Sequence, residues 1–372
     1  MNFSFWETDT WFKKTDFTII GSGIVGLNCA WNLKKRFPNA NVLILERGML
    51  PHGASTRNGG FATFGSLSEI IADLGNHTPE EVVALVKKRR EGLSLLRKNL
   101  GDEAIDYREY GGTELFVPSQ EGLLEKCRQK REQVNELLYP VFHAPAFLEC
   151  QNKYGFQNVL PTLFHTPFEG QIHTGKMMST LLQKVLATGV KILNQVTVTE
   201  YDETASGVHI KTDKFELTTS RLIIATNGFS AQLNIPQVKP ARSQILVTEP
   251  IENLHFKGAF HLDEGFYYFR NIGNRLLIGG GRNLDIQGEE TTSMEYTDLI
   301  QNNLERLLRE SILPQTPWKV EQRWSGIMGV GDQKKPIVKQ LSDHTFCGVR
   351  LGGMGVAIGS KLGEELADLA MA

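Results

Sequence analysis

The chain opens with apolar segments in the order strand, helix, strand. Asp16-Phe17-Thr18-Ile19-Ile20 is a short run rich in β-forming residues, typical of a buried parallel strand. Residues 27–37 carry apolar side chains at helical spacing and stop before Pro38. Residues 41–46 (NVLILE) predict a second buried strand. This succession, within about thirty residues, indicates a right-handed crossover in a parallel sheet.

Further along the chain, the pattern predicts more helices and strands. A helix is predicted at 177–187, with strands at 190–193 and 196–201. Residues 240–281 read as several strands, and a strand at 345–349 precedes a glycine turn and a last helix. No repeat or low-complexity linker separates these parts. We therefore predict nucleotide-fold segments at the start, middle and end of the chain, interleaved with a β-rich layer.

A glycine motif joins the first strand to the first helix. Gly21-Ser22-Gly23-Ile24-Val25-Gly26 reads GxGxxG, and Glu46 ends the next strand 46 − 26 = 20 residues later. Gly21 permits a tight turn, Gly23 lets the backbone approach a pyrophosphate, and Gly26 lets the helix pack on the sheet. Glu46 is placed to accept hydrogen bonds from ribose hydroxyls. This context predicts a dinucleotide site at the helix N-terminus.

The loop after the second strand helps to separate NAD from FAD. Residues 53–61 (GASTRNGGF) follow at once, where an NAD enzyme would normally continue its sheet. Small residues with one arginine suit close passage of the backbone along a phosphate and an isoalloxazine ring. A flexible surface loop is the alternative, but it does not explain the order of these residues. The loop favours FAD.

With these motifs the sequence resembles the D-amino acid oxidase superfamily of flavoproteins over nearly its whole length. The other segments that carry the resemblance are 170–176 (GQIHTGK), 225–228 (ATNG), 265–270 (GFYYFR) and 352–355 (GGMG). The loop Arg-Asn-Gly-Gly, the element 323–326 (RWSG) and Phe5-Trp6 look most like gamma-glutamylputrescine oxidases and related amine oxidases.

The resemblance implies an α/β fold in which a Rossmann-like FAD-binding domain is interleaved with a mixed β-sheet substrate (cap) domain. We expect the FAD-binding domain to comprise residues 1–62, 165–235 and 335–372, and the cap domain residues 63–164 and 236–334.

The resemblance also implies non-covalent FAD and the residues that bind it. They are Gly21, Ser22, Gly23, Ile24, Val25, Gly26, Glu46, Arg47, Ser55, Thr56, Arg57, Asn58, Gly59, Gly60, Val196, Ala225, Thr226, Gly228, Gly326, Gly353, Met354, Gly355 and Val356. Val196 would contact adenine through its backbone, and the N–H groups of 353–355 would face the pyrimidine edge of the flavin. A helix N-terminus there would stabilise negative charge. The glycines at 355, 359 and 363 also suit close packing of the last helix on the sheet.

Three departures from the family pattern bear on the chemistry. Met328 stands where amino acid oxidases have the arginine that binds the substrate carboxylate, which argues against an ordinary α-amino acid substrate. The cysteine that attaches flavin in monomeric sarcosine oxidases has no counterpart. Leu277 stands where those enzymes have an oxygen-activating lysine, so the electron acceptor is left open between oxygen and another acceptor.

Four residues are candidates for the substrate pocket. Strand alternation puts Tyr268 and Arg270 on one face of 266–270, where Tyr268 could wall the flavin and Arg270 pair with a carboxylate. Trp324 and Met328 share a face of the strand 323–329. The alternative for each is ordinary core packing. For His173, a structural hydrogen-bonding role is favoured over general-base catalysis.

Composition and charge limit the partners. With 40 Lys+Arg and 42 Asp+Glu the net charge is −2, and no basic excess suggests nucleic acid binding. The run Lys87-Lys88-Arg89-Arg90 is expected to be a solvated face of a helix that opens at Thr78. Four scattered cysteines argue against a metal site or a disulfide framework. With no signal-like N-terminus and no membrane-spanning run, we expect a cytoplasmic protein of undetermined oligomeric state.

These observations predict oxidation of a C–N bond in a small amine substrate. The flavin would take a hydride, and the resulting imine would hydrolyse. Alternatives are a dehydrogenase that uses a quinone or protein acceptor, an oxidase of amino acids such as glycine or sarcosine, a non-catalytic flavoprotein and, most distantly, an NAD-only dehydrogenase.

Overall fold

A computed structural model describes residues 2–13 and 15–371 of the chain and shows an α/β fold built on two eight-stranded sheets. The strands are β1 (Thr15–Ile20), β2 (Val42–Glu46), β3 (Phe61–Ala62), β4 (Gly112–Leu115), β5 (Leu148–Gln151), β6 (Thr162–Thr166), β7 (Gly170–Gln171), β8 (Lys191–Asn194), β9 (Val198–Thr204), β10 (Gly207–Thr212), β11 (Glu216–Ile224), β12 (Lys239–Thr248), β13 (Ala259–Leu262), β14 (Tyr267–Ile272), β15 (Arg275–Gly280), β16 (Val320–Val330), β17 (Ile337–Ser342) and β18 (Thr345–Val349). The predicted fold class is confirmed.

Helices cover the sheets. They are α1 (Phe5–Glu7), α2 (Ile24–Arg36), α3 (Ala54–Arg57), α4 (Leu67–Asp73), α5 (Pro79–Leu100), α6 (Glu121–Phe142), α7 (Thr174–Leu186), α8 (Asp298–Leu307) and α9 (Gly355–Leu369). Helix α5 begins where the sequence predicts, because the Thr78 hydroxyl accepts a hydrogen bond from the backbone N–H of Glu81 and the Glu81 carboxylate accepts one from the backbone N–H of Thr78. Within the part of the chain that the structure describes, no helix is long and apolar enough to cross a bilayer.

The first sheet has the order β17-β18-β11-β1-β2-β8, and β9 and β10 extend it along the first half of β11. Strands β8, β2, β1, β11 and β18 are parallel, as a doubly wound nucleotide-binding sheet requires. Strands β1 and β2 are almost wholly buried because both of their faces are covered, which explains their continuous apolar sequences. Ile19 and Ile44 pack with helices α2 and α9, whereas Ile20 and Leu45 pack in a cluster that includes β10.

The second sheet has the order β16-β12-β15-β14-β13-β4-β6-β5 and is antiparallel except for the parallel pair β13–β4. Strand alternation in β14 is as predicted: Tyr267 and Phe269 pack into one hydrophobic cluster, and Tyr268 packs into another.

The strands of the first sheet all come from the three segments expected for the FAD-binding domain. Helix α5 comes from residues expected in the cap, yet it packs along α9, and Leu85 and Leu96 join the same core cluster as α2 and β1. The two-domain division therefore remains a proposal, with α5 on the FAD-binding side.

Candidate active site

One cavity of about 620 Å³ runs between the two sheets. At one end it is lined by the carboxyl ends of β1, β2 and β11, through residues such as Ile20, Leu45 and Ala225. At the other end it meets the inner face of the second sheet at Ser243 and Ile245. The carboxyl edge of a parallel sheet is where ligands bind in folds of this type.

The turn between β1 and α2 leaves room for a ligand because it lacks side chains. Gly21 has φ +102°, and a Cβ there would lie 2.9 Å from the Ala225 carbonyl oxygen. A Cβ at Gly23 would lie 3.0 Å from the Ser55 hydroxyl, which accepts a hydrogen bond from the backbone N–H of Ile24 at 2.9 Å. The N-terminus of α2 thus faces the cavity with only small groups in front of it, as a phosphate site requires.

The Glu46 carboxylate fixes this turn from the end of β2. It accepts hydrogen bonds from the Ser22 backbone N–H at 3.0 Å, the Ser22 hydroxyl at 2.7 Å and the Gly48 N–H at 2.9 Å. The Glu46 backbone carbonyl accepts from the N–H of Val196 at 3.0 Å, which brings Val196 to the same end of the cavity. The Arg47 guanidinium lies 3.6 Å from the centre of the Phe229 ring.

The loop after β2 contains the short helix α3 and is held from several sides. The Asn58 amide donates to the Ala54 and Ser55 carbonyls, both at 3.0 Å, and its oxygen accepts from the Gly60 N–H at 2.8 Å. The Arg57 guanidinium donates to the Ser325 carbonyl at 2.9 Å on β16. These bonds make the loop a fixed wall of the cavity instead of the flexible surface loop considered as the alternative.

The N-terminus of α9 also forms part of the cavity wall. Gly353, Met354, Gly355 and Val356 line it, and the Met354 sulfur lies 3.5 Å from the Thr63 hydroxyl. The two later glycines of α9 serve packing: a Cβ at 359 would lie 2.6 Å from the Ile24 side chain, and one at 363 would lie 2.5 Å from Asn28 Cβ. The glycines of α9 were expected to allow close packing on the sheet, but their close contacts are with α2. The first turn of α9 remains open to a ligand.

Tyr268 on β14 forms an aromatic wall in the same cavity. Its hydroxyl lies 2.7 Å from the Ser243 hydroxyl, and its ring meets Phe61 edge-on with centroids 5.0 Å apart. Burial raises the pKa of Tyr268 to about 12, so the phenol is neutral at physiological pH. Met328 lines the same cavity from β16.

The model of the FAD dependent oxidoreductase (DAO) family matches residues 16–369. The chain belongs to this family. Its relatives include a probable oxidoreductase OrdL of Rhizobium meliloti, 23% identical over 96% of this chain and 83% of the relative. Another is the gamma-glutamylputrescine oxidoreductase of Escherichia coli, 22% identical over 95% of this chain and 83% of the relative.

Two solved structures named for enzymes of amino acids share the fold. Glycine oxidase from Geobacillus kaustophilus superposes with a TM-score of 0.76 at 18% identity, covering 96% of this chain and 94% of the other. L-proline dehydrogenase from P. horikoshii gives 0.75 at 17% identity, covering 96% and 93%. The expected resemblance to this superfamily is confirmed.

Most residues predicted from the family pattern do line the cavity. They are Gly21, Gly23, Ile24, Val25, Glu46, Arg47, Ser55, Arg57, Asn58, Gly59, Val196, Ala225, Thr226, Gly326, Gly353, Met354, Gly355, Val356, Tyr268 and Met328. Their roles toward FAD and substrate remain proposals.

The remaining predicted residues lie behind the cavity wall and support it: Ser22, Gly26, Thr56, Gly60, Gly228, Trp324 and Arg270. A Cβ at Gly26 would collide with the Gly21 carbonyl oxygen, and one at Gly228 would lie 2.5 Å from the Met328 carbonyl oxygen. The Thr56 hydroxyl donates to the Pro51 carbonyl at 2.6 Å, and the Trp324 indole N–H donates to the Arg57 carbonyl at 3.0 Å.

The geometry corrects the expected role of Arg270. Its side chain is buried and donates to the Gly59 carbonyl at 2.5 Å, the Ile172 carbonyl at 2.9 Å and the Asn271 carbonyl at 3.1 Å. Burial lowers the pKa of Arg270 to about 10, with Asp106 acting in the opposite direction. Its guanidinium is occupied by backbone carbonyls and does not line the cavity, so Arg270 holds the loop of α3 in place.

His173 has the structural role that was favoured. Its exposed ring accepts a hydrogen bond from the Lys176 backbone N–H at 3.2 Å and caps α7.

The sequence did not single out a buried histidine that lies in the cavity wall. His261 on β13 lines the cavity, and its ring lies 3.0 Å from the carboxylate of Glu169, which is fully buried. The other oxygen of Glu169 accepts from the Phe64 N–H at 3.0 Å. Desolvation alone would lower the pKa of His261, but attraction to Glu169 and their hydrogen bond outweigh it and raise the pKa to about 9. The charges of Glu69 and Glu114 also raise the pKa of His261.

This pair predicts a pH-dependent stability. The folded pKa of His261 lies above its ordinary value of 6.5, so the stabilisation is complete below pH 6.5 and is lost as the pH rises through about 9. We expect the free energy of unfolding to fall by roughly 3 kcal/mol across that interval. Urea unfolding at a series of pH values measures it for the wild type and for His261→Gln, which cannot titrate. Equal pH dependence in the two proteins would contradict the prediction.

The basic run on α5 is only partly the solvated face that was expected. Lys87 is exposed, and Lys88 and Arg90 are half-buried, but Arg89 is buried and lines the cavity. Helical spacing could have revealed that Arg89 is buried, because Arg89 lies on the same buried stripe of α5 as Val82 and Val86.

Proposed function

We propose that this protein is an FAD-dependent enzyme that oxidises a C–N bond of a small primary or secondary amine. The observation that carries the proposal is the end of the cavity near α9, where Tyr268, Phe61 and Met328 form an apolar wall beside the helix N-terminus. An apolar wall of this kind favours the neutral form of an amine, since burial disfavours its charge. Hydride can leave a carbon only when the adjacent nitrogen has a free electron pair to form the C=N bond.

The residues present fit FAD along the whole cavity. The open glycine turn and the N-terminus of α2 suit the pyrophosphate, and Glu46 and Val196 lie at the adenosine end. When bound, FAD supplies a two-electron acceptor that takes a hydride from the substrate carbon. Water then adds to the imine and releases a carbonyl compound and ammonia or an amine.

The chain's own contribution is positioning and electrostatics. The first turn of α9 presents backbone N–H groups and the positive end of the helix to the cavity. Arg57 and Trp324 fix the loop of α3 to β16, which keeps the cavity wall in place during the reaction. The aromatic wall excludes water from the reacting carbon.

We infer that FAD is held without a covalent bond. Among the described residues no cysteine lines the cavity, and Cys29, Cys127 and Cys347 are buried elsewhere. Acid precipitation of the purified holoenzyme is therefore expected to leave the flavin in the supernatant. Flavin that stays with the pellet after washing in denaturant would contradict this inference.

The decisive test is anaerobic mixing of the holoenzyme with a panel of amines. The absorbance of the oxidised flavin at about 450 nm is followed after each mixing. We expect bleaching by polyamines or γ-glutamylated amines and none by glycine, sarcosine or proline, because Met328 stands in the position of the family's carboxylate-binding arginine. Bleaching by the amino acids alone would overturn the substrate assignment. If no amine of the panel bleaches the flavin, the proposal fails, and the result is the one that a non-catalytic flavoprotein would give.

A dehydrogenase is the second candidate, and Leu277 favours it. This residue is buried in a cluster with Ile245 and Val247, and it supplies no cation to assist reaction with oxygen. Turnover of a bleaching amine with oxygen should then be slow and should rise at least about tenfold with an artificial quinone, a difference of about 1.4 kcal/mol in activation free energy. Equal or faster turnover with oxygen would exclude this candidate.

A further inference from the structure

We propose that Arg89 is the anion-binding residue of the substrate cavity and that the substrate amine carries a carboxylate. This inference rests on the proposed function and names the substrate class more closely. Arg89 lies on α5. The arginine that binds the substrate carboxylate in amino acid oxidases of the family would lie on β16, where this chain has Met328.

Arg89 is placed for binding but is incompletely satisfied by the protein. Its side chain reaches from α5 to the cavity and is 6% exposed. Nη1 donates to the Phe64 carbonyl at 2.7 Å, whereas Nε has no hydrogen-bond partner among the described residues. A buried guanidinium has five N–H donors, and donors without acceptors are costly to bury.

The acidic side chains around Arg89 do not neutralise it directly. Burial lowers the pKa of Arg89. The negative charges of Asp73, Glu69 and Glu169 act in the opposite direction and offset part of this lowering. Each of them has another partner: Lys334 lies 2.5 Å from Asp73, the Ser66 N–H 2.9 Å from Glu69, and His261 3.0 Å from Glu169. Across residues 2–13 and 15–371, no carboxylate lies within 4.0 Å of the Arg89 guanidinium. Arg270 is also buried without a close counter-ion, but backbone carbonyls accept from its guanidinium. Arg89 keeps an unpaired N–H besides, and this combination favours a ligand that supplies the anion.

The position of Arg89 favours the substrate over the FAD phosphates as that ligand. The phosphate cradle lies at Gly21 and Gly23, at the carboxyl end of β1. Arg89 contacts Phe64, the residue after Thr63, and the Thr63 hydroxyl contacts the Met354 sulfur at the start of α9, so Arg89 is tied to the α9 part of the cavity wall and not to the glycine turn. A carboxylate is the anion that matches the fork of a guanidinium in two parallel hydrogen bonds.

The acidic side chains that line the same region match the amine end of such a substrate. Glu69 and Glu264 both line the cavity, and a Cβ at Gly265 would lie 2.6 Å from the carboxyl carbon of Glu69. The cavity thus offers a buried cation together with carboxylates, a combination that favours a molecule with both an anionic and an amino group.

Kinetics with matched substrates test the assignment. The holoenzymes compared are the wild type, Arg89→Met, Arg89→Lys and the control Arg90→Met, whose arginine lies over the Phe142 ring 4.7 Å from its centroid. Each is mixed anaerobically with an amine that bleaches the wild-type flavin and carries a carboxylate (the acid), and with the methyl ester of that amine (the ester).

For the acid, we expect Arg89→Met to raise the apparent Kd of flavin reduction about ten- to hundredfold, and Arg89→Lys to raise it less. The ester's Kd should change less than about threefold, and Arg90→Met should resemble the wild type for both.

Three results would overturn the assignment. Equal losses for the acid and the ester would show that Arg89 supports the fold of the cavity. A loss of FAD content or a shifted flavin spectrum, the same with every substrate, would mean that Arg89 serves the flavin. No change in either Kd would show that the carboxylate binds elsewhere.

A binding measurement separates this inference from the proposed oxidation. Calorimetric titration of the holoenzyme with glutarate and with its neutral diamide requires no turnover. Binding of glutarate to the wild type but not to Arg89→Met, with neither protein binding the diamide, supports Arg89 even if no amine is oxidised. Failure of the wild type to bind glutarate, or equal binding by both proteins, overturns the inference and leaves the amine oxidation to be decided by the bleaching assay.

Discussion

Gly26→Ala is expected to abolish FAD binding and to destabilise the protein by roughly 3 kcal/mol, because a methyl group there has no space. Its Cβ would collide with the Gly21 carbonyl oxygen and lie 3.3 Å from the Ile19 side chain, which pushes α2 away from β1. The phosphate cradle is the turn between these two elements. Urea unfolding and the flavin content of the purified protein measure the two effects.

The matched control is Gly122→Ala in the first turn of α6, where a Cβ would meet nothing within 4 Å. Alanine has a higher helix propensity than glycine, so this variant should gain about 0.5–1 kcal/mol and keep its flavin. If Gly26→Ala also gained stability and retained full flavin, helix propensity would dominate at both sites. The close approach of α2 to β1 would then not be required for binding.

The nucleotide end could be predicted from the sequence because its determinants are local. The turn 21–26, the helix after it and Glu46 at the end of β2 lie within one βαβ unit, so spacing alone fixes their relative positions. The start of α5 was predictable for the same reason, since Thr78 and Glu81 cap the helix within four residues.

The substrate end could be predicted only in part because its contacts join distant segments. His261 and Glu169 are 92 residues apart in the chain, and no pattern in either segment indicates the pair. Alternation placed Tyr268 and Arg270 on the correct face of β14, but it could not show that carbonyls from the loop of α3 and from residue 172 occupy Arg270. Charge favoured a solvated position for Arg89, and packing of α5 against α9 overrode it.

Arg270→Met is expected to have the second large effect, since it leaves the Gly59 and Ile172 carbonyls without their donors in a buried region. Charge-assisted bonds of this kind contribute about 1.5–3 kcal/mol each, partly offset here because a buried charge is removed, so we expect a loss of roughly 2–4 kcal/mol. The loop of α3 should loosen and flavin content should fall.

The control Arg275→Met removes an exposed ion pair with Glu321 and should cost less than about 1 kcal/mol. Urea unfolding and flavin content again measure the outcome. An Arg270→Met protein with full flavin and stability, but with weakened binding of a carboxylate-bearing amine, would return Arg270 to the substrate site and remove the need for Arg89.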